Sequence, residues 1–210
     1  KLMYGSLLAM QEKTEEARFQ FQLVTEMEPD NASAWQQLLN LSLKANDMEE
    51  VKRICLKCQE LFPDAPEYYF YLGIANYQLK EYEKALETYQ AGIQIIDKEN
   101  TSLISDFYGQ IGDIHYQMKN QEKAYEAYEE ALKYNDKNIV VLNNYSYFLT
   151  LDKKDLKKAE RMSAQCIKLQ PDNSTYLDTY AWIFFVQGNY TLAKIYIESA
   201  LEKDTTKSSE

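Results

Sequence analysis

The chain has 210 residues, of which 45% are hydrophobic and 27% are charged, a balance typical of a folded protein with a sizeable core. No apolar run approaches the roughly 18 to 20 residues that cross a bilayer, so we expect no membrane span in this segment. Lys and Arg number 23 and Asp and Glu number 33, and the resulting net charge of -10 disfavours nucleic acid as a partner.

The pattern of apolar residues predicts helices along the whole chain. Aliphatic side chains recur every three or four residues instead of alternating, and only six glycines and four prolines interrupt them. We therefore expect an all-α protein without a sheet.

Small residues recur in three columns at intervals of 34 to 39 residues along the chain. A small side chain allows two helices to approach closely, so three such columns predict tightly paired helices. The first small column consists of Ala17, Val51, Ala85, Ala124, Ala159 and Ala193. The second, seven residues later, consists of Val24, Cys58, Gly92, Ala131, Cys166 and Ala200. The third, twelve residues before the first in five copies and thirteen before it in the fifth, consists of Gly5, Leu39, Gly73, Gly112, Ser146 and Ala181.

These columns and the large residues between them resemble the tetratricopeptide repeat. The closest matches to its pattern are Trp35 to Leu38, Tyr69 to Gly73 and Tyr82 to Ala85. The resemblance implies an α-α superhelix, a solenoid of antiparallel helix hairpins in about six copies, and the richness in Tyr, Asn and Lys resembles bacterial members of the family. We expect one domain over residues 1–204, with copies at about 1–31, 32–65, 66–104, 105–138, 139–173 and 174–204, and a frayed tail over 205–210.

Turn residues agree with these boundaries. Pro-Asp segments at Pro29, Pro63 and Pro171 close copies, because Pro cannot continue a helix and a neighbouring Asp or Asn caps the next one. Within the hairpins we expect left-handed backbone at Asn46, Asn120 and Gly188.

Two insertions lengthen the period. Five extra residues around Lys98 to Ser102 predict an extra helical turn or an extended cap between the third and fourth copies, and one extra residue lies within Asp152 to Leu156. The first copy lacks the start of its first helix. We therefore expect the native N-terminus to lie elsewhere, and the compartment, cytoplasm or bacterial periplasm, is left open.

Catalytic and metal-binding signals are weak. His115 is the one histidine and falls at a core-facing position, where a packed imidazole is favoured over a ligand role. Cys55 and Cys58 have the spacing of a redox motif, but they occupy packing positions of a predicted helix. We expect no enzyme, no cofactor and no metal.

The resemblance also implies a binding surface. In this family the first helix of each hairpin lines a concave groove. We number the positions within each copy so that the residue of the third small column is the eighth. In this numbering the family's groove residues are at the second, fifth, ninth, twelfth and thirteenth positions. The ligand-binding residues predicted from this correspondence are Phe70, Ile74, Tyr77, Asp113, Tyr116, Asn143, Tyr147, Asp178, Trp182 and Phe185.

Exposed rigid aromatics in such a groove indicate a scaffold that binds a peptide or protein segment, one that carries basic and apolar side chains. The competing interpretation of these aromatics is that they complete the core between neighbouring first helices. Two alternative functions stay open: a self-assembling module that associates through its C-terminal end, and the recognition module of a larger enzyme.

Overall fold

The structure is a computed structural model that describes the backbone of residues 1–207 and the side chains of residues 1–204. Within this range the chain forms helices joined by short turns and contains no strand. The all-α prediction is therefore confirmed. The chain divides into two compact units, Lys1–Glu99 and Asn100–Glu210, and the division falls within the predicted insertion.

Unit 1 consists of three helix hairpins, and its first five helices contribute to one apolar core. Its helices are α1 (Leu2–Met10), α2 (Thr14–Met27), α3 (Ala32–Lys44), α4 (Met48–Leu61), α5 (Pro66–Gln78) and α6 (Tyr82–Ile95). Each odd-numbered helix is the first helix of a hairpin and contacts the second helix that follows it. It also contacts the second helix of the preceding hairpin where there is one.

Unit 2 repeats this arrangement around its own core. Its helices are α7 (Thr101–Gln117), α8 (Gln121–Tyr134), α9 (Ile139–Leu151), α10 (Leu156–Leu169), α11 (Ser174–Val186) and α12 (Tyr190–Lys207). Helix α9 contacts both α7 and α11, so the three first helices of this unit lie side by side.

The three small columns mark the close approach of paired helices, as predicted. All their members are buried. A Cβ built on Gly5 would lie 2.7 Å from a ring carbon of Phe21, and Gly73 and Tyr89 are in the same relation. Because the glycines leave space for these rings, each aromatic of the second helix packs directly on the backbone of the first.

The left-handed turn residue lies two positions before the second helix in five of the hairpins. Asn46 and Gly188 adopt this conformation, as predicted. The prediction for Asn120 is wrong, because the left-handed residue is Lys119 and Asn120 lies at the N-cap of α8. Asn is favoured at both positions, so residue type alone does not distinguish them.

Both insertions are accommodated at helix starts. Helix α7 begins four residues earlier than the first helices of the other complete copies, with Asn100 as its N-cap, so the extra turn is confirmed. In the fifth hairpin the additional residue gives a second left-handed position, Asp155, whose side chain caps α10. Asn31 and Asn173 cap α3 and α11 in the predicted way.

The end of the chain is only partly described. Helix α12 extends to Lys207, and residues 208–210 lie outside the described residues. The frayed tail over 205–210 and the single domain over 1–204 stay predictions.

Candidate functional site

The first-helix face of unit 2 carries exposed apolar side chains. Tyr147 on α9 and Trp182 on α11 occupy the ninth position of their copies, and both are exposed. Val140 and Leu151 extend the apolar surface along α9. The resemblance implies that side chains at the ninth position are exposed, and those of Tyr147 and Trp182 are.

The fifth position of a copy faces the neighbouring first helix instead. A Cβ built on Gly109, in α7, would lie 2.6 Å from Cγ2 of Val141 in α9. Asn143 has the same position in α9 and is buried, as is Thr150 at the twelfth position. The prediction that Asn143 lines an open groove is therefore wrong, since first helices of adjacent hairpins approach too closely to leave that position accessible.

Tyr116, at the twelfth position of α7, is engaged within unit 2. Its ring stacks on Phe148 with 3.8 Å between centroids, and its hydroxyl donates to Asp152 Oδ1 at 3.0 Å. The hydroxyl of Tyr125 donates to the other oxygen of the same carboxylate. Burial raises the pKa of Tyr116 to about 12. This side chain joins α7 to the end of α9, so we assign it to the core and not to a ligand site.

Asp113, predicted as an acidic ligand-binding residue, is also satisfied by its own chain. Tyr128 donates from its hydroxyl to Asp113 Oδ1 at 2.5 Å, and the side-chain amide of Asn144 donates to both carboxylate oxygens at 3.2 Å. Burial raises the pKa of Asp113 to about 6. Through these hydrogen bonds Asp113, on α7, connects α7 to α8 and α9.

The remaining residues predicted in unit 1 lie on α5. Phe70 makes an edge contact with Tyr89 at 5.9 Å between centroids, and Tyr77 contacts Tyr82 at 5.7 Å. Together with Ile74 they are partly buried. These three residues belong to unit 1, whereas Tyr147 and Trp182 belong to unit 2.

A cavity of about 400 Å³ opens on the last hairpin of unit 2. Phe185 and Asp178, both predicted as groove residues, are part of its lining, and Trp182 stacks on Phe185 with 5.5 Å between centroids. The groove positions of the family pattern lie on first helices only, so they do not include the residues that α12 contributes to this cavity. The lining consists of Asp178, Ala181, Trp182, Phe185, Tyr190, Ala193, Lys194 and Ile197.

The cysteine and histidine side chains that could carry chemistry are packed in the structure. Cys55 and Cys58 are fully buried and free, and burial raises the pKa of Cys58 to about 12. His115 is half-buried, and its burial lowers the pKa of the imidazole. Among the described residues no three His, Cys, Asp or Glu side chains converge in a way that would hold a metal ion. The helices of this range are also too short or too polar to cross a membrane.

Comparison with known proteins agrees with the repeat architecture. The family model described as tetratricopeptide repeat matches residues 66–98 and 105–138. The Hsp70-Hsp90 organizing protein of Triticum aestivum is 32% identical over 100 residues, which are 48% of this chain and 17% of that protein. The chain thus spans about a sixth of the length of this relative.

Solved structures share the fold over most of the chain. A structure of Pseudomonas aeruginosa pilF has a TM-score of 0.73 at 18% identity and covers 100% of this chain and 96% of its own. YrrB, described as a TPR protein with an unusual peptide-binding site, has a TM-score of 0.58 at 15% identity over 87% of this chain and 91% of its own. The tetratricopeptide fold is generally a non-catalytic protein-interaction module. The family model thus matches two copies of the repeat, and the described part of the chain shares its helix-hairpin fold with these solved structures.

Proposed function

We propose that the chain binds a segment of another protein on the first-helix face of unit 2, with Tyr147 and Trp182 as its anchors, and that it catalyses no reaction itself. The observation that carries this proposal is the exposure of both aromatic side chains at equivalent positions of adjacent first helices. Neither side chain is needed for the contact between the two helices of its hairpin, because the residues of the small columns form that contact.

Large aromatic side chains provide much contact area at a low cost in conformational entropy, and they dominate the binding energy of many interfaces. Val140 and Leu151 add apolar surface beside Tyr147. An extended or helical segment with apolar side chains is the ligand that such a surface accommodates. The peptide-binding site of YrrB and the name of the organizing protein support the same class of function.

The charge of the chain favours a basic ligand. Asp178 is exposed one helical turn from Trp182, and the net charge is -10. A ligand that presents Lys or Arg beside its apolar residues would gain attraction on approach and at this carboxylate. The affinity should therefore fall as the salt concentration rises.

A peptide-display selection against the folded chain tests the proposal. We expect enrichment of sequences that combine aliphatic or aromatic residues with Lys or Arg. A selected peptide is then titrated by calorimetry against the wild type and against the Tyr147→Ala/Trp182→Ala variant. Loss of two anchors should weaken binding at least about tenfold, because each hot-spot aromatic contributes on the order of 1 to 2 kcal/mol or more.

Ile195→Ala is the matched control, because Ile195 is a similarly exposed apolar residue on the second helix α12. Its affinity for the peptide should equal that of the wild type. Circular dichroism establishes that all variants are folded. If the double variant bound every selected peptide as tightly as the wild type, the proposed surface would be wrong.

A further inference from the structure

We propose that helix α10 and the turn before it bind an acidic segment of another protein, whose Asp and Glu side chains pair with a row of exposed cations. We call this row the basic stripe. It lies on the second helix of the fifth hairpin, so the proposal goes beyond binding at the first-helix face. The basic stripe consists of Lys153, Lys154, Lys157, Arg161 and Lys168.

The charge of the basic stripe differs from that of the whole chain. Residues 153–161 contain five Lys or Arg and two acidic residues, whereas the net charge of the chain is -10. Both acidic residues are already engaged. Asp155 accepts a hydrogen bond from the backbone N–H of Lys158 at the N-cap of α10. Glu160 accepts one from the side-chain amide of Gln187. This segment therefore presents an excess of positive charge to the solvent.

The cations of the basic stripe are available to a partner. All of them are exposed, and among the side chains that the structure describes none of them forms an ion pair. Lys154 lies over the ring of Tyr125, with 5.3 Å between its Nζ atom and the ring centroid. By contrast Lys158, which does not belong to the stripe, is half-buried and pairs with Glu129. The carboxylates of the chain thus leave the charge of the stripe unneutralised.

The spacing of these cations places them along one line. Lys157 and Arg161 are four residues apart and Lys168 follows seven residues later, so all three lie on the same face of α10. At 1.5 Å per residue the helical part of the stripe is about 16 Å long. An extended segment of about five residues has this length. A short run of Asp and Glu side chains can therefore contact several of the cations at once.

The charges at the start of α10 do not serve the stability of the helix. Negative side chains are favoured in the first turn of a helix, and α2, α4, α6 and α8 all have Glu there. Helix α10 has Lys157 and Lys158 instead. Like charges four residues apart, such as Lys157 and Arg161, also repel each other. Exposed cations that weaken their own helix are expected where binding, and not stability, maintains them.

The neighbouring helix favours a narrow occupant. Helix α8 is joined to α10 by the ion pair between Glu129 and Lys158, and it exposes Glu122 and Glu126. Helices joined in this way are on the order of 10 Å apart, so a lipid surface or a nucleic acid duplex on the basic stripe would also meet these carboxylates. A single polypeptide segment can follow α10 alone. Charge complementarity therefore favours an acidic protein segment over the broader anions.

Fluorescence anisotropy with a labelled decaglutamate peptide tests the proposal. The wild type should bind this peptide at low salt, and the affinity should fall as the salt concentration rises, because exposed charges are screened. Lys157→Glu/Arg161→Glu should weaken binding at least about tenfold, since it replaces two attractions by two repulsions. Phosphatidylserine vesicles and a DNA duplex are the broader anions for comparison, and neither should bind.

Lys13→Glu/Lys98→Glu is the matched control, because it changes the net charge by the same amount at two exposed cations of unit 1. Its affinity for decaglutamate should equal that of the wild type. Tyr147→Ala/Trp182→Ala should also bind decaglutamate like the wild type. The result is therefore independent of the binding proposed for the first-helix face.

A second variant separates binding from folding. Lys157→Ala/Arg161→Ala removes the like-charge pair and introduces the best helix former, so it should be at least as stable as the wild type in chemical denaturation. It should nevertheless bind decaglutamate less tightly than the wild type does.

Several results would overturn the proposal. One is a wild type that does not bind decaglutamate at concentrations up to about 1 mM. Another is a loss of affinity in the Lys13→Glu/Lys98→Glu control as large as that in Lys157→Glu/Arg161→Glu. Binding of the vesicles or the duplex through the basic stripe would assign it to a different class of anion. Self-association of the wild type that Lys157→Glu/Arg161→Glu abolishes would assign it to a second copy of the chain.

Discussion

Tyr128 packs directly on Gly112, so that a Cβ built on the glycine would lie 2.5 Å from the Cε1 atom of the ring. The ring is fully buried, and its hydroxyl donates to Asp113, the next residue of the same helix. One aromatic residue of α8 therefore fixes both the distance and the rotation of α8 relative to α7.

The variant Gly112→Ala should lower the free energy of unfolding by about 1 to 3 kcal/mol, the usual cost of forcing an extra group into a packed core. A loss of stability would be informative, because Ala normally stabilises a helix relative to Gly by about 1 kcal/mol where space permits. Chemical denaturation measures the change. Gln117→Ala, at an exposed position of the same helix, controls for helix propensity and should be nearly neutral.

Steric contact with the ring can be tested separately. In a Tyr128→Leu background the second change, Gly112→Ala, should cost less than it does in the wild type, since the smaller side chain leaves room for the methyl group. Equal costs in the two backgrounds would show that the glycine is needed for another reason.

The stability of the protein should depend on pH through Asp113. Burial raises the pKa of this carboxyl from 3.8 to about 6, so the folded chain binds the proton more tightly than the unfolded chain does. The contribution of Asp113 to the free energy of unfolding is therefore greatest below about pH 4 and declines until about pH 6. At 1.36 kcal/mol for each pKa unit, the decline is about 3 kcal/mol.

Asp113→Asn removes this titration. The difference in the free energy of unfolding between wild type and variant should change across pH 4 to 6 and be constant above that range. Urea denaturation at a series of pH values measures this difference. The other carboxyl groups contribute equally to the wild type and to the variant, so their contributions cancel. A difference that is the same at every pH would contradict the raised pKa.

Removal of the Tyr116 hydroxyl should reduce stability without affecting ligand binding. Tyr116→Phe deletes the hydrogen bond to Asp152 and keeps the ring on Phe148, so we expect a loss of about 1 to 2 kcal/mol in the free energy of unfolding. Tyr147→Phe, which removes a hydroxyl from an exposed side chain, should be neutral. Weaker binding of a selected peptide by Tyr116→Phe would assign Tyr116 to the ligand site after all.

The cysteine pair of α4 should be chemically inert in the folded protein. Cys55 and Cys58 are fully buried, and burial raises the pKa of both thiols, that of Cys58 to about 12. Ellman's reagent should react with them in guanidinium chloride and only very slowly under native conditions. Rapid native reaction would favour the redox interpretation of their spacing.

The exposure of the residues proposed for the binding surface follows the family pattern only in part. The family pattern gave Tyr147 and Trp182 as exposed residues, which they are. It also gave Asn143, which is buried because the fifth position of a copy meets the neighbouring first helix. The distance between two first helices is set by side chains of different copies, so no single copy of the repeat contains that information.

The sequence by itself determined the helix hairpins, because their contacts join residues close together in the chain. A glycine or alanine at the point of approach and a large ring opposite it leave a periodic signal, as Gly5 and Phe21 do. The bacterial origin suggested by composition stays a prediction.

Only the tertiary structure decided which polar and aromatic groups remain available for a partner. Asp113 accepts a hydrogen bond from Asn144, and Tyr116 donates one to Asp152. The cavity beside Phe185 is formed by α11 and α12 together. The availability of a side chain depends on what packs against it in space, and that is fixed when the hairpins stack.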